Sequence, residues 1–227
     1  DRLESFSSDI HARDHQIEAK IAVGEDGRIL AMDVDDWTAI GPYSVYPRTS
    51  AIEGNQVVNL CGGPYEFANY RAKTTVVFQN KAPTCQYRAV GHPIAVAITE
   101  GLVDMAAAAI GMDPVEIRRR NMYADDCYPV TSPAKMRFEG LSHHASMTKL
   151  MEMMDYDALR ADQAEARKQG KSRGIGIASF IELTNPSPFM YGIGGARISA
   201  QDGCTVRMDP GGSIVALAGG TEQGQGT

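Results

Sequence analysis

The sequence predicts a mixed α/β (α+β) protein in two parts, divided near residue 170. Three observations predict it. Near the start of the chain, apolar and polar residues alternate, as in strands, and further on apolar residues recur every three or four positions, as in helices. In the last part, short alternating segments are separated by turn-forming residues, which is typical of antiparallel strands. With 227 residues, 43% of them hydrophobic, the chain can bury a core. We therefore expect strands and helices in residues 1–170 and the start of a second, β-rich part in residues 171–227.

The first elements are predicted to be strands. Residues 16–35 form two alternating segments around Glu25-Asp26-Gly27-Arg28, and Asp-Gly supplies the positive φ of a hairpin turn. From Trp37 to Tyr70 the chain is rich in Gly, Pro, Tyr and Asn, which predicts irregular strand and loop rather than helix. Residues 71–79, RAKTTVVFQ, are β-branched and alternating, which predicts a further strand.

Three helices follow in the prediction. The first covers residues 94–110 and ends at Gly111, and the second runs from the Asp113-Pro114 cap to about Asn121. The arginines of this second helix, 118–120, are predicted to form a solvated last turn. The third helix covers residues 146–169, and its apolar stripe is predicted to be ordinary core: Leu150, Met153, Met154 and Leu159.

The last part is predicted to be an antiparallel meander. Its strands are expected at residues 174–183, 195–200, 205–209 and 213–219, separated by turn formers such as Asp209-Pro210-Gly211-Gly212. Both ends of the chain look like cut points, since it starts with DRLESF and stops directly after a glycine-rich run. We therefore expect an internal piece of a longer protein.

Charge and hydropathy exclude several classes of partner. The net charge of −6 offers no basic surface for nucleic acid. The sequence has no apolar run of about 18 to 20 residues and no signal peptide, which predicts no membrane span and a cytoplasmic location. The four cysteines form no CxxC pair and predict reduced, buried thiols rather than a zinc or iron–sulfur site. The pairs His11/His15 and His143/His144 lack ligand neighbours at metal-site spacing.

Two segments are candidates for a functional site. In the run from Gly219 to Thr227, four glycines let the backbone approach a ligand, and Gln223 and Gln225 add side-chain amides that suit a flat polar ring. A plain glycine-rich turn remains the alternative there. The segment Cys85–Pro93 places Arg88 before a predicted helix, where a guanidinium can clamp an oxyanion. A surface arginine without function remains the alternative for Arg88.

Taken in order, these segments resemble the molybdenum-cofactor subunit of the xanthine dehydrogenase and aldehyde oxidase family. Tyr87-Arg88-Ala89-Val90-Gly91-His92-Pro93 is similar to the family's arginine loop, and GLVDMAAAAIGMDPVEIRRRNM at Gly101–Met122 is similar to its following helix. The terminal GGTEQGQGT is similar to the family's GGTExGQG element. The resemblance covers essentially the whole chain and implies a partial molybdopterin-binding domain pair.

The resemblance also implies residue roles. Arg88 and the backbone of Ala89 would lie beside the molybdenum centre, and Val90 would take the place of a substrate-stacking phenylalanine. The pterin and its phosphate arm would contact the second element, through Gly220, Gln223, Gly224, Gln225 and Gly226. Phe180 and Glu182 would border the substrate pocket. No protein metal ligand is implied, because the pterin's dithiolene holds the metal.

The implied activity is oxidation of an aldehyde or an N-heteroaromatic substrate, with water as the oxygen source. The cofactor implied for a bacterial source is molybdopterin cytosine dinucleotide, and the implied partners are iron–sulfur and flavin subunits or domains. No catalytic residue is expected within this chain, since the family's general-base glutamate lies in a downstream loop. Ala89 stands where carbon monoxide-oxidising members have a cysteine, which argues against copper-bridged chemistry. The alternative is a non-catalytic module that binds a nucleotide or a partner.

Overall fold

The structure, a computed structural model, describes residues 1–45, 49–182, 203–220, 222 and 224–226. The chain separates into two compact units. Unit 1 comprises Asp1–Ser44 with Ser50–Glu182, and unit 2 comprises Val45–Thr49 with Leu183–Thr227. The predicted division near residue 170 concerns the domains of the longer protein and stays a prediction.

A three-stranded sheet forms the frame of unit 1. Its strands are β1 (His15–Val23), β2 (Ile29–Ala39) and β3 (Asn69–Val77), in the order β1-β2-β3. The β1–β2 pair is antiparallel and the β2–β3 pair is parallel. The predicted hairpin is confirmed, and its turn depends on Gly27, whose φ is +81°. The predicted strand at residues 71–79 is confirmed as β3.

Six helices belong to unit 1: α1 (Arg2–Ser8), α2 (Ile52–Leu60), α3 (His92–Ile110), α4 (Pro114–Asn121), α5 (His143–Met154) and α6 (Tyr156–Lys168). Two short strands, β4 (Val130–Thr131) and β5 (Arg137–Phe138), pair with each other. Helices α2 and α3 pack on the sheet, where Met32, Val34, Val57 and Val103 are at most 1% exposed. The predicted α3 and α4 are confirmed, including the left-handed Gly111 that ends α3 and the Asp113 cap of α4.

Helix α3 is long and apolar enough to cross a membrane by length and composition, with a mean hydropathy of 1.6. The core helix of a soluble protein meets the same test, and α3 packs on the sheet through buried residues such as Ala95, Val103 and Ala107. This helix therefore does not by itself support a membrane span.

The prediction of irregular strand and loop rather than helix for residues 37–70 is wrong, because α2 occupies part of this stretch. Its intrinsic helix propensity is low, since it contains Gly54, two asparagines and two adjacent valines. Tertiary packing forms the helix instead: Val57 is fully buried and Gly54 lies against the sheet. A side chain at Gly54 would come within 2.5 Å of Thr74 Oγ1 and 2.7 Å of Thr38 Oγ1.

The single helix predicted for residues 146–169 is two helices. Asp155 has a φ of 48° and separates α5 from α6. The break lets the Tyr156 hydroxyl donate to Asp113 Oδ2 over 2.9 Å, so α6 is anchored to the cap of α4. The predicted core stripe is also wrong in part, because Leu150 and Met153 are exposed while Met147 is buried.

Two further predictions about unit 1 are wrong. Arg118 is fully buried rather than solvated, and described residues 174–182 form no strand. The guanidinium of Arg118 donates to Glu100 Oε2 at 2.8 Å, to Asp104 Oδ1 at 2.8 Å and to the Ile177 carbonyl at 2.9 Å. The Ile177 carbonyl is therefore bonded to a side chain of α4.

In unit 2 the described strands are β6 (Cys204–Met208) and β7 (Ile214–Ala218), paired antiparallel as predicted. Gly212, with a φ of 86°, makes the turn between them. The predicted strand at residues 195–200 lies outside the described residues. All four cysteines are free thiols, but only Cys61 and Cys85 are buried; the prediction is wrong for Cys127 and Cys204, which are exposed.

Candidate functional site

The predicted arginine segment forms a tight bend between β3 and α3. We call residues 87–91 the arginine bend. Ala89 and Val90 both have positive φ values, 75° and 50°, which a β-branched residue such as Val90 rarely adopts. The Val90 amide donates to the Tyr87 carbonyl at 2.6 Å, and the His92 amide donates to the Ala89 carbonyl at 2.9 Å. Backbone strain of this kind is typical of functional sites and persists only where the surroundings impose it.

The bend presents its arginine at the surface of unit 1. The side chains of Tyr87 and Arg88 are exposed, and Ala89 and Val90 are half-buried. The guanidinium of Arg13 donates to the Arg88 carbonyl at 2.6 Å and stacks over the Tyr87 ring, with 5.4 Å between the guanidinium carbon and the ring centre. The backbone of Arg88 is thus held by a residue 75 positions earlier in the chain. Sequence reasoning missed this contact.

Gly91 completes the bend by a close approach to α2. A Cβ at this position would lie 2.5 Å from the Glu53 carbonyl oxygen and 2.8 Å from the Val57 amide nitrogen. The Gly91 amide donates to Gln56 Oε1 at 3.1 Å. The bend therefore depends on a glycine that touches the backbone of a helix absent from the prediction.

Beneath this contact lies a buried charged cluster. The His15 ring bridges two carboxylates, with Nδ1 2.7 Å from Asp36 Oδ1 and Nε2 3.1 Å from Glu53 Oε1. Burial lowers the pKa of His15, but its hydrogen bonds and charge interactions with Asp36 and Glu53 outweigh this and raise the pKa from 6.5 to about 9. His15 is therefore protonated at neutral pH. Sequence reasoning considered His15 only with His11, since its carboxylate partners are 21 and 38 residues away.

Phe180 and Glu182 lie near the end of unit 1. Phe180 lines a small cavity of about 20 Å³ together with His92, Thr99 and Ser179, which is room for one or two water molecules and not for an organic substrate. Its carbonyl is 3.0 Å from His143 Nε2. Glu182 is exposed. Their substrate-pocket role stays a prediction.

The predicted glycine-rich element forms a second bend, in unit 2. We call Glu222 with residues 224–226 the glycine bend. Gly224 and Gly226 have φ values of 90° and 81°. Their amides converge on one carboxylate oxygen, Glu222 Oε1, at 2.5 and 3.2 Å. Gly220 and Gln225 are exposed, and Gln223 lies outside the described residues.

The donors in the two bends suit an organic oxyanion. The glycine bend already holds a carboxylate oxygen with two backbone amides, which is how such bends bind phosphate. In unit 1, the arginine bend separately presents a guanidinium, which pairs readily with an oxyanion. Within the described residues, no group of three His, Cys, Asp or Glu side chains could hold a metal ion. The donors of each bend therefore fit a cofactor that offers anionic oxygens to the protein.

The comparisons with known proteins agree with this chemistry. A family model described as a molybdopterin cofactor-binding domain matches residues 1–122, and a second model with the same description matches residues 149–227. The chain is 33% identical over 229 residues to the nicotine 6-hydroxylase large subunit of Paenarthrobacter nicotinovorans. It is 30% identical over 235 residues to the carbon monoxide dehydrogenase large chain of Hydrogenophaga pseudoflava. Each match covers 100% of this chain but only 28% of the relative.

Solved structures give the same result. Quinoline 2-oxidoreductase from Pseudomonas putida 86 matches with a TM-score of 0.86 and 32% identity, over 100% of this chain and 29% of that chain. The copper- and molybdenum-containing CO dehydrogenase matches with a TM-score of 0.83 and 29% identity. The resemblance inferred from the sequence motifs is therefore confirmed: the chain belongs to the molybdopterin cofactor-binding domains of the xanthine dehydrogenase and carbon monoxide dehydrogenase family.

Proposed function

We propose that this chain is part of the large subunit of a molybdenum hydroxylase that oxidises an N-heteroaromatic substrate or an aldehyde, with water as the oxygen source. One observation carries the proposal: the whole chain matches large subunits of such enzymes, and relatives named for nicotine and quinoline oxidation are 33% and 32% identical to it. Nicotine and quinoline are both N-heteroaromatic compounds. Ala89 also replaces the cysteine of carbon monoxide-oxidising members, and Val90 replaces the phenylalanine that purine-oxidising members place over the substrate.

The bound molybdenum–pterin cofactor would supply the redox chemistry, while the protein supplies binding, orientation and electrostatics. The guanidinium of Arg88 would donate to an oxyanion of the cofactor, and the strained backbone of Ala89 would lie beside it. In unit 2, the amides of Gly224 and Gly226 would bind phosphate oxygens of the pterin's arm in place of the Glu222 carboxylate. Gln223 and Gln225 would hydrogen-bond the pterin edge, with Gly220 allowing its close approach.

The finer parts of the proposal concern the form of the cofactor and the partners. We propose molybdopterin cytosine dinucleotide as the form, and iron–sulfur and flavin subunits as electron acceptors. Relatives named as large subunits, and one named subunit gamma of a dehydrogenase complex, support an assembly of several chains. The chain spans about 28% of the curated relatives it matches, so the remaining catalytic groups would come from the rest of the protein.

Metal and pterin analysis of the full-length protein tests the proposal. We expect about one molybdenum per chain and release of a cytosine nucleotide on denaturation, because the cofactor is the redox centre. Purified protein that contains no molybdenum but binds a nucleotide tightly would instead favour the non-catalytic module. Release of a different nucleotide with molybdenum present would change only the cofactor form.

A further inference from the structure

The arginine bend is contacted at both ends by residues that have no assigned role. At its start, the Arg13 side chain donates to the Arg88 carbonyl and stacks on Tyr87. At its end, Gly91 lies against the Glu53 carbonyl and hydrogen-bonds to Gln56. Arg13 and Glu53 are themselves connected, because the Arg13 amide donates to Glu53 Oε1 at 2.9 Å. Glu53 thus takes part in both contacts, through its carboxylate on the Arg13 side and through its backbone carbonyl on the Gly91 side.

Glu53 is held by the buried charged cluster. Its Oε1 atom also receives His15 Nε2, and His15 is fixed from the other side by Asp36. Asp36 Oδ2 in turn accepts the hydroxyls of Thr38 from β2 and Thr74 from β3, at 2.8 and 2.9 Å. The side chains of His15, Asp36 and Glu53 are only 4%, 0% and 3% exposed. These hydrogen bonds therefore hold the Glu53 carboxylate at a defined place relative to β2 and β3.

This arrangement is costly for stability alone. Burying two carboxylates and an imidazolium incurs a large desolvation penalty, and apolar residues of similar size would often stabilise a protein as well or better. Glu53 Oε2 is buried and has no hydrogen-bond partner among the described residues. Gly54, which lets α2 approach the sheet closely enough to bury Glu53, is a poor helix former. The cluster is explained if it serves to hold a neighbouring part of the protein in a defined position.

The arginine bend is the neighbouring part that needs to be held. Two consecutive non-glycine residues with positive φ are both unfavourable, so the bend reverts unless contacts on both sides hold it. Arg13 holds the residues before Ala89, and Glu53 holds the residue after Val90.

We propose that Arg13, His15 and Glu53 are positioning residues that hold the arginine bend in its strained conformation and so fix where Arg88 is presented. The geometry of the cluster carries this inference by itself. Its relevance to the cofactor rests on the proposed function.

Hydrogen exchange measured by mass spectrometry on the full-length protein tests the proposal. The variants are Arg13→Gln and Glu53→Gln, with Arg71→Gln and Glu116→Gln as matched controls that remove exposed ion pairs elsewhere in unit 1. We expect the amides of Val90, Gly91 and His92 to exchange about tenfold faster in the two test variants and unchanged in the controls. Arg13→Lys, which keeps a donor for the Arg88 carbonyl, should restore part of the slow exchange.

Arg13 is on the surface, so its variant tests the proposal even if Glu53→Gln fails to fold. Unchanged exchange in Arg13→Gln, with the rest of unit 1 native-like, would overturn the proposal. Molybdenum content of the same preparations separates the two ideas. Wild-type protein without molybdenum contradicts the proposed function and leaves the exchange comparison valid, whereas molybdenum-loaded variants with an unaltered bend contradict only the positioning role.

Discussion

The arginine bend and the glycine bend achieve left-handed backbone in opposite ways. In the glycine bend, the positive φ values belong to glycines, and the contacts to Glu222 are two and four residues away. In the arginine bend, the positive φ values belong to Ala89 and Val90, and the contacts that hold its ends come from 35 and 75 residues away. The first bend is encoded locally, and the second is imposed by the rest of unit 1.

This difference indicates which substitutions should disturb the conformation of each bend. Glycine adopts positive φ at no steric cost, so no distant contact is needed to impose the positive φ values of Gly224 and Gly226. Non-glycine residues at positive φ need surroundings that over-determine them, so the arginine bend should respond to changes in α2, β1 and the segment before β1. The predictions below test this contrast, from the largest expected effect to the smallest.

The largest effect is expected from Gly91→Ala. The new Cβ would lie within 2.5–2.8 Å of two backbone atoms and the Gln56 side chain of α2, and backbone atoms cannot move aside cheaply. We expect the free energy of unfolding to fall by about 2–4 kcal/mol, measured by denaturant titration of the full-length protein.

Gly101→Ala is the matched control for that change. Gly101 lies within α3, and a Cβ there would meet nothing within 4 Å, so alanine should raise stability by about 0.5–1 kcal/mol through helix propensity. Equal effects of the two substitutions would contradict the close approach of the arginine bend to α2.

Replacing Arg88 with alanine should affect chemistry more than folding. The side chain is exposed, so its loss should leave the fold intact. Because its guanidinium would donate to an oxyanion of the cofactor, we expect turnover to fall roughly 10²-fold while molybdenum is retained. Steady-state kinetics with an N-heteroaromatic substrate measures it. Unchanged turnover on every accepted substrate would remove Arg88 from the site.

Gly224→Ala should have a smaller, local effect. Alanine at a φ of 90° is strained by about 1–2 kcal/mol, which should weaken retention of the cofactor during dialysis, measured as molybdenum per chain. Gly211→Ala is the control, since a Cβ there meets nothing within 4 Å. A changed rate of amide hydrogen exchange at residues 90–92 in Gly224→Ala would show that the conformation of the arginine bend depends on the glycine bend.

The smallest effect is expected from pH. The pKa of His15 is raised from 6.5 to about 9 in the folded protein, so its charged form stabilises the fold fully below about pH 6.5, and this contribution is lost as pH rises through 9. His15→Asn should therefore weaken the decline in the free energy of unfolding between pH 6.5 and 9.5. Equal pH profiles for wild type and His15→Asn would contradict a protonated His15.

Local signals in the sequence were enough to predict several elements. The Asp-Gly turn predicted the β1–β2 hairpin, the Asp113-Pro114 cap predicted α4, and the Asp-Pro-Gly-Gly run predicted the turn between β6 and β7. Each of these depends on residues adjacent in the chain, whose backbone preferences decide the conformation. The family motifs were local in the same sense, which is why the resemblance could be recognised from three short segments.

Several of the failures involve distant partners. Helix α2 forms against its own propensity because Val57 is buried, and Arg118 is buried because Glu100 and Asp104 lie on the facing turn of α3. The break at Asp155 allows Tyr156 to reach Asp113. The carboxylates around His15 are likewise invisible in sequence, since nothing nearby in the chain relates residues 15, 36 and 53.

By itself, the sequence determined the β1–β2 and β6–β7 turns, the ends of α3 and α4, the glycine-rich turn and the family, because short-range preferences and contiguous motifs carry that information. Only the tertiary structure decided the strained backbone at Ala89 and Val90 and the buried charges that accompany it. The physical reason is that positive φ at ordinary residues and buried charge are both unfavourable locally. They occur only where several distant residues make them the least costly arrangement.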